Sequence, residues 1–355
     1  MSLQASFTKK VFTFNFKART SRGLMNDKAS WFIKIWDTDN PNVYGIGECG
    51  PLPGLSIDAI PDFENVLNEI VTHFNGSAFK LNDDLLQVKF VKNDFPSITF
   101  GFEVALRDLL HGGKRIIYEN SFIRHQPIPI NGLIWMGDMD FMMSQIAKKI
   151  NEGFSCIKLK VGGLDFEREC DILNYIRKRF FREDITIRLD ANGAFKTSDV
   201  LFKLDQFSRY KIHSIEQPLK PGLSEMEELC RKSPIPIALD EELIGHYTTK
   251  EKSVLLTRLS PQFIVLKPTL HGGLTGCDEW IRLAGKMGIG WWITSALESN
   301  IGLNAICQFT ANYPIQIEQG LGTGSIYDNN IHSALKVEKG TIFLDPTMDG
   351  VPYII

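Results

Sequence analysis

One apolar run after another in this chain ends on a charged residue. The runs CIKLKV, ITIRLDANG, HSIEQP, PIALDEE and FIVLKP place Lys160, Asp190, Glu216, Asp240 and Lys267 at their ends. A sixth run, WWITSALES, places Ser295 there. Successive positions are 30, 26, 24, 27 and 28 residues apart. A strand followed by a crossover helix takes about 30 residues, so each position closes the same kind of βα unit. Short apolar runs of this type are what parallel strands buried on both faces look like.

The full set of strand candidates is 128–133, 156–161, 185–190, 213–216, 236–240, 263–267, 290–294 and 314–317. Helical spacing lies between them at 141–152, 165–180, 198–210 and 273–287. Eight strands alternating with helices over about 200 residues predict an α/β fold, a (β/α)8-type (modified TIM) barrel. A doubly wound open sheet is the alternative. It announces itself by G-x-G-x-x-G after a strand, and no strand candidate here is followed by one.

The first third has another rhythm. Residues 11–17 alternate apolar and polar, as a half-buried strand does. Segments 31–37 and 44–48 flank turn-forming residues and read as a hairpin. Helical spacing follows at 54–74 and 97–111; in the second, Phe102, Ala105, Leu106 and Leu109 share a face and Gly112-Gly113 stops the helix. The expected division is an α+β capping domain at 1–125, a barrel at 126–324, and a segment at 325–355 that packs back on the first domain.

The register of the charges is the main functional signal. Each stands at the C-terminal mouth of its strand, where barrel enzymes keep their active sites. Taken singly, any of them reads as a solvated cap, Lys158-x-Lys160 as the exposed face of an edge strand, and Asp190-Ala-Asn-Gly as a turn. Five together cannot be buried unless they pair or bind an ion. Asp190, Glu216 and Asp240 form a hard-oxygen set suited to Mg²⁺ or Mn²⁺. The absence of His and Cys from the set argues against zinc. Lys160 and Lys267 stand on either side of the carboxylates in strand order. That arrangement suits proton removal from a carbon next to a carboxylate, with a metal neutralising the enediolate and a lysine taking the proton. Alternation points Lys158 inward with Lys160, and Arg188 inward with Asp190.

Other features are weaker. Gly320-Leu-Gly-Thr-Gly324 is either an anion-binding backbone or a tight turn. Ser295 and Glu298 are either substrate contacts or a helix cap. His125, His213, His246 and His271 have no spacing that suggests a metal, and Trp291-Trp292 reads as packing. The chain of 355 residues carries 39 basic and 42 acidic side chains, which argues against a broad nucleic-acid surface. Its six cysteines form no C-x-x-C pair and read as thiols in a reducing compartment. Neither a secretory signal nor a run of roughly 18 apolar residues is present. The expected location is cytoplasmic, with a small-molecule carboxylate as partner and neither nucleic acid nor membrane; the sequence leaves the oligomeric state open.

KLK at 158–160, LDANGA at 189–194, IEQP at 215–218, LDE at 239–241 and LKP at 266–268 resemble the enolase superfamily, in its muconate-lactonizing-like branch. YGIGECGPLPG at 44–54 is similar to the mobile loop of that superfamily's capping domain. Within the superfamily, VLKPTLHGG at 265–273, SALESNIGL at 295–303 and GLGTG at 320–324 resemble the o-succinylbenzoate synthase family of menaquinone biosynthesis. The resemblance implies syn dehydration of a succinyl-bearing hydroxycyclohexadiene carboxylate. It implies Mg²⁺ on Asp190, Glu216 and Asp240, with Lys160 as base and then acid and Lys267 as the charge opposite. It also implies substrate contacts at Lys158, Arg188, Asn192 and Ser295, and leaves Glu241 either behind the metal ligands or at the surface.

The rival within the superfamily is a racemase or epimerase of dipeptides or N-acylamino acids, using both lysines as bases. Dipeptide epimerases commonly carry Asp-x-Asp after the last strand, where this chain has GLGTG. A non-catalytic barrel would be expected to have lost one of the lysines or carboxylates, and all are present. An aldolase with a lone Schiff-base lysine would leave three carboxylates unexplained.

Overall fold

The computed structural model describes residues 2–20, 23–181 and 184–348. It begins with a three-stranded antiparallel sheet, β1 (Leu3–Thr20), β2 (Gly23–Asp37) and β3 (Asn40–Cys49), in that spatial order. The expected hairpin is present, with Trp31 opposite Cys49 and Trp36 opposite Tyr44. Two helices cover the sheet, α1 (Phe63–Gly76) and α2 (Pro96–Leu110). Phe63, Leu67, Val71 and Phe74 are the buried stripe of α1. That helix starts at Phe63, not at 54. Pro51, Pro53, Gly54 and Pro61 break any earlier helix, and the Leu55 and Ser56 amides donate back to the Leu52 carbonyl in a turn. Helix α2 lies directly on β3, where a β-carbon at Gly45 would overlap the Ala105 carbonyl and one at Gly47 the Gly101 carbonyl. Glycine at alternate positions of Y-G-I-G-E is what permits this approach.

The expected strand at 128–133 is two elements. Strand β4 (Ile128–Pro129) belongs to a separate small sheet, and β5 (Gly132–Ile134) starts the parallel one. From there strands and helices alternate: α3 (Met139–Asn151), β6 (Cys156–Lys160), α4 (Phe166–Arg179), β7 (Thr186–Asp190), α5 (Val200–Ser208), β8 (Ser214–Glu216), α6 (Glu225–Lys232), β9 (Ile237–Leu239), α7 (Thr249–Leu259), β10 (Phe263–Leu266), α8 (Gly273–Met287), β11 (Gly290–Ile293) and α9 (Asn300–Thr310). Strands β5 to β11 form one seven-stranded sheet in chain order, and its pairs are parallel. Sequential order with helical crossovers is what right-handed βαβ connections produce. Local signals set the helix ends; α7, for example, starts on a capping box between Thr248 and Glu251.

The expected strand at 314–317 is not formed. Two residues further on, Gln319 and Gly320 bridge both edges of the sheet, Gln319 pairing with Ile130 and Gly320 with Thr294. The Asn131 amide donates to Gln319 and the Ser295 amide to Gly320. Among the described residues beyond, β12 (Leu335–Glu338) and β13 (Thr341–Leu344) form a hairpin that pairs with β4. Upstream of that hairpin, Tyr327 bridges Phe14 and its ring packs on Phe12 and Phe14. Residues 349–355 of the expected terminal segment lie outside the described residues. The six cysteines are free thiols, and all but Cys170 are buried. Among the described residues, no helix is long and apolar enough to cross a membrane.

Candidate active site

Parallel register brings the charges together. Lys160 pairs with Asp190, and Asp190 with Glu216. Asp240 and Lys267 directly follow β9 and β10. Four of the five, Lys160, Asp190, Glu216 and Lys267, line one cavity of about 350 Å³. Its floor carries Lys158, Lys160, Asp190, Asn192, Glu216 and Lys267, with Asp240 ion-paired to Lys267 beneath. The roof comes from the start of β2, residues 23–25, and the loop after β3, residues 52–55, and is apolar through Leu24, Met25, Leu52 and Leu55. Walls come from Asn131, Leu133 and Trp135, from 294–297, and from Gly320, Gly322 and Thr323.

The floor is a network of opposite charges. Lys158 Nζ stands 2.6 Å from Glu216 and 2.9 Å from Asp190. Lys160 Nζ donates to Asp190 Oδ2 and to Asn192 Oδ1, each at 2.6 Å. Burial draws the Lys158 ammonium down, but Asp190, Glu216 and Asp240 outweigh it and hold the group well above its ordinary value. Lys267 is raised in the same way, burial being overcome by Asp240 and Glu216. Burial pushes the Asp190 carboxyl up, and Lys158 and Lys160 more than reverse this. Asp240 is likewise held below its usual range, burial being overcome by Lys267 and Lys158. Glu216 goes the other way. Burial and then the Asp190 charge push it well above the carboxylate range.

Among the described residues, no three His, Cys, Asp or Glu side chains stand in a ready metal-binding group. Carboxylate oxygens of the triad face lysine ammoniums instead. Two oxygens do not: Glu216 Oε1 and Asp240 Oδ1 are buried and have no hydrogen-bond partner. Leaving such atoms unsatisfied costs about 1–3 kcal/mol each. Orphaned oxygens on a hard-donor set, with one carboxylate short of positive charge, fit a small divalent cation bound by oxygen.

Neighbouring side chains hold the set in place. Asn192 sits at φ 44°, a left-handed conformation Asn tolerates, and its amide bridges Lys160 to the buried Glu241. Gln217 accepts the Asp240 and Glu242 amides. His271 Nδ1 accepts the Lys267 amide at 2.9 Å, and burial pushes this imidazole down to about 3. It is a neutral positioning group, in line with the structural reading of the histidines.

Two expected substrate contacts differ from expectation. Arg188 is one strand pair below Asp190 and does not line the cavity. Its Nη1 donates to the Glu318 carbonyl and its guanidinium lies over Trp292 at 4.4 Å. Alternation gave its inward direction but not its depth. Ser295 does line the cavity, yet its hydroxyl is fully used within the chain. It donates to Glu298 Oε2 at 2.5 Å and accepts the Leu297 and Glu298 amides. Helix α9 is capped by Ser299 instead, so Ser295 and Glu298 do not cap it. Asn131 and Thr323 join the wall without having been expected there. Asn131 Oδ1 and Thr323 Oγ1 are buried, unpartnered and on the cavity wall. The glycine-rich string around Thr323 was the available signal.

Comparison with known proteins agrees with this geometry. Residues 142–349 match the family described as Enolase C-terminal domain-like. The chain is 41% identical to an o-succinylbenzoate synthase of Desulfotalea psychrophila, over 96% of this chain and 98% of that one. A solved structure, MenC from the same organism, superposes with TM-score 0.87 at 38% identity, covering 97% of this chain and 100% of that one. The L-Ala-D/L-Glu epimerase of Bacillus subtilis shares the fold, with TM-score 0.85 at 17% identity over the whole of both chains. The chain belongs to the enolase superfamily and, within its muconate-lactonizing-like branch, to the o-succinylbenzoate synthase family.

Proposed function

We propose that this chain catalyses the syn dehydration of a succinyl-bearing hydroxycyclohexadiene carboxylate to 2-succinylbenzoate, a step of menaquinone biosynthesis. One observation carries the reading: Lys160 and Lys267 stand on either side of Asp190 and Glu216 on the floor of a single roofed cavity, with Asp240 ion-paired to Lys267, in a chain 41% identical to a synthase of that name. Asp190, Glu216 and Asp240 are the residues that would hold Mg²⁺, or Mn²⁺ in its place. Bound there, the cation supplies fixed positive charge against the enediolate that forms when the α-proton leaves.

The chain's own groups supply the rest. Three strands, β7, β8 and β9, separate Lys160 from Lys267 in the sheet, so the two amines approach substrate from opposite sides. Lys160, as the free amine, removes the α-proton. The leaving hydroxyl is on the same face in a syn elimination, so the same ammonium returns the proton to it. Lys267 remains charged beside Asp240 and stabilises the enediolate. Lys158, locked between Asp190 and Glu216, balances the floor. Leu24, Met25, Leu52, Leu55 and Trp135 exclude water above the ring.

The same reading takes 1–125 as a capping domain, 126–324 as a (β/α)8-type barrel and 325–355 as a closing segment. The bridges of Gln319 and Gly320 to both sheet edges support an eighth, two-residue stave. Six free thiols are consistent with a cytoplasmic enzyme. The test is loss of diene absorbance with Mg²⁺ and the hydroxycyclohexadiene substrate. Turnover that stops with EDTA and drops at least about 10³-fold in Lys160→Ala supports the reading. A wild-type protein that fails to turn over refutes it. Proton exchange into N-succinyl amino acids or dipeptides in D₂O would then assign it to the epimerases.

A further inference from the structure

A second cluster of buried charge lies between the two domains and is not used by the chemistry. Lys28, Glu48 and Glu298 are each no more than 1% exposed. Lys28 and Ser30 come from β2, Glu48 from β3, and Glu298 from the loop after β11. Ser30 Oγ donates to Glu48 Oε1 at 2.7 Å, and Lys28 Nζ donates to Ser30 Oγ at 3.3 Å. Across the domain boundary, Glu48 accepts the Ser299 amide at 3.0 Å and its hydroxyl at 2.6 Å, and the Gly302 amide at 3.0 Å. It therefore takes up the N-terminus of α9. Glu298 accepts the Ser295 hydroxyl, the Ala296 amide at 2.8 Å and the Thr269 hydroxyl. Lys28 interacts with the charges of both Glu48 and Glu298. A β-carbon at Gly50 would press on Lys28 Nζ, and one at Gly302 on both Glu298 and Glu48. Packing therefore closes the cluster from both sides.

Each member sits next to a different part of the cavity. Lys28 is three residues from Met25 in the roof. Glu48 is four residues from Leu52, where the second roof segment begins. Glu298 holds Ser295 and Ala296 in the wall, and Thr269 is two residues past Lys267. We propose that Glu48, with Lys28 and Glu298, is a positioning unit that clamps both roof segments to the wall at 295–297 and so sets the shape of the substrate site. The unit touches none of the reacting groups. Its effect falls on how tightly substrate is held, and this part of the inference rests on the dehydratase reading of the cavity.

Glu48→Gln and the double variant Lys28→Met/Glu48→Gln are compared with wild type in the full chain. Glu48→Gln loses an acceptor for the α9 amides and leaves Lys28 buried with Glu298 as its one remaining counter-charge. KM for the hydroxycyclohexadiene substrate rises about tenfold while kcat stays within about threefold. Amide hydrogen exchange quickens at 298–302 and also at 52–55. The double variant removes the desolvated ammonium, leaves Glu298 on its three hydrogen-bond donors, and serves as the test protein if the single variant fails to fold. It regains wild-type melting temperature but keeps the raised KM. An unchanged KM in a destabilised Glu48→Gln, or a KM that returns with the melting temperature in the double variant, makes the cluster merely structural and overturns the proposal. If wild type does not turn over, the dehydratase reading falls and hydrogen exchange alone decides. Quickening confined to 298–302, with 52–55 unmoved, then overturns the clamp.

Discussion

Glu216 carries the clearest unfinished business of any single residue. Four charged groups act on it, yet one of its oxygens has no partner among the described residues and its carboxyl is pushed up by burial and by Asp190. A cation seated against Glu216 and Asp240 removes both deficits. Mg²⁺ at 100 times its dissociation constant should therefore stabilise the wild-type protein by about 2.7 kcal/mol, read as a rise in melting temperature without substrate. Glu216→Gln should give little or no rise; an equal rise in both proteins would move the metal elsewhere. The charged residues of the floor were legible in the sequence because each ends an apolar run at a constant interval. Ser295 and Arg188 were legible only as positions. Whether a hydroxyl is free depends on where Glu298 turns, and alternation along a strand says which side a residue faces, not how deep it lies.

At the scale of elements, the tightest constraint is the seat of α2 on β3. The Gly47 α-hydrogen faces the Gly101 carbonyl, and a methyl group there would overlap it. Gly47→Ala should push the helix off the strand and destabilise the protein by about 1–3 kcal/mol or more, measured by urea unfolding. Gly76→Ala, at the end of α1 with nothing near its β-carbon, is the control and should be nearly neutral. The strands from β6 to β11 were readable to within a residue or two, since their apolar runs are bounded by turns. The strand expected at 314–317 is absent among the described residues, and Gln319 and Gly320 make only one bridge each, too short to leave a pattern. The run at 128–133 concealed a change of partner at Asn131. Helix α1 was started too early because the apolar spacing of 54–62 is real, although its prolines forbid the helix.

For the molecule as a whole, the N-terminal sheet and its helices are joined to the parallel sheet's helices by carboxylates that receive helix N-termini. Glu103 of α2 accepts the Leu274 and Thr275 amides at the start of α8, as Glu48 does for α9. Burial outweighs those bonds and pushes Glu103 up to about 7, and burial pushes Asp58, which holds the start of α2 through Ser97, up to about 6. Both are raised above their unfolded values of 4.5 and 3.8. Their contribution to stability is therefore complete at pH values below about 4 and is lost as pH rises through 6 and 7. For Glu103 the loss is on the order of 3 kcal/mol. Melting temperature should fall between pH 5 and pH 8, and Glu103→Gln should flatten the fall; an unchanged slope would exclude Glu103 as its source.

The pairing of Phe14 with Tyr327, and of β4 with β13, has a consequence for the chain during its synthesis. At about 5–20 residues per second, the outer edge of β1 leaves the ribosome roughly fifteen seconds to a minute before its partner exists. For that interval residues 13–15 present unpaired backbone to whatever is nearby. The gap closes when residues 326–328 arrive, the Asn15 amide donating to the Ile326 carbonyl and the Asp328 amide to the Thr13 carbonyl.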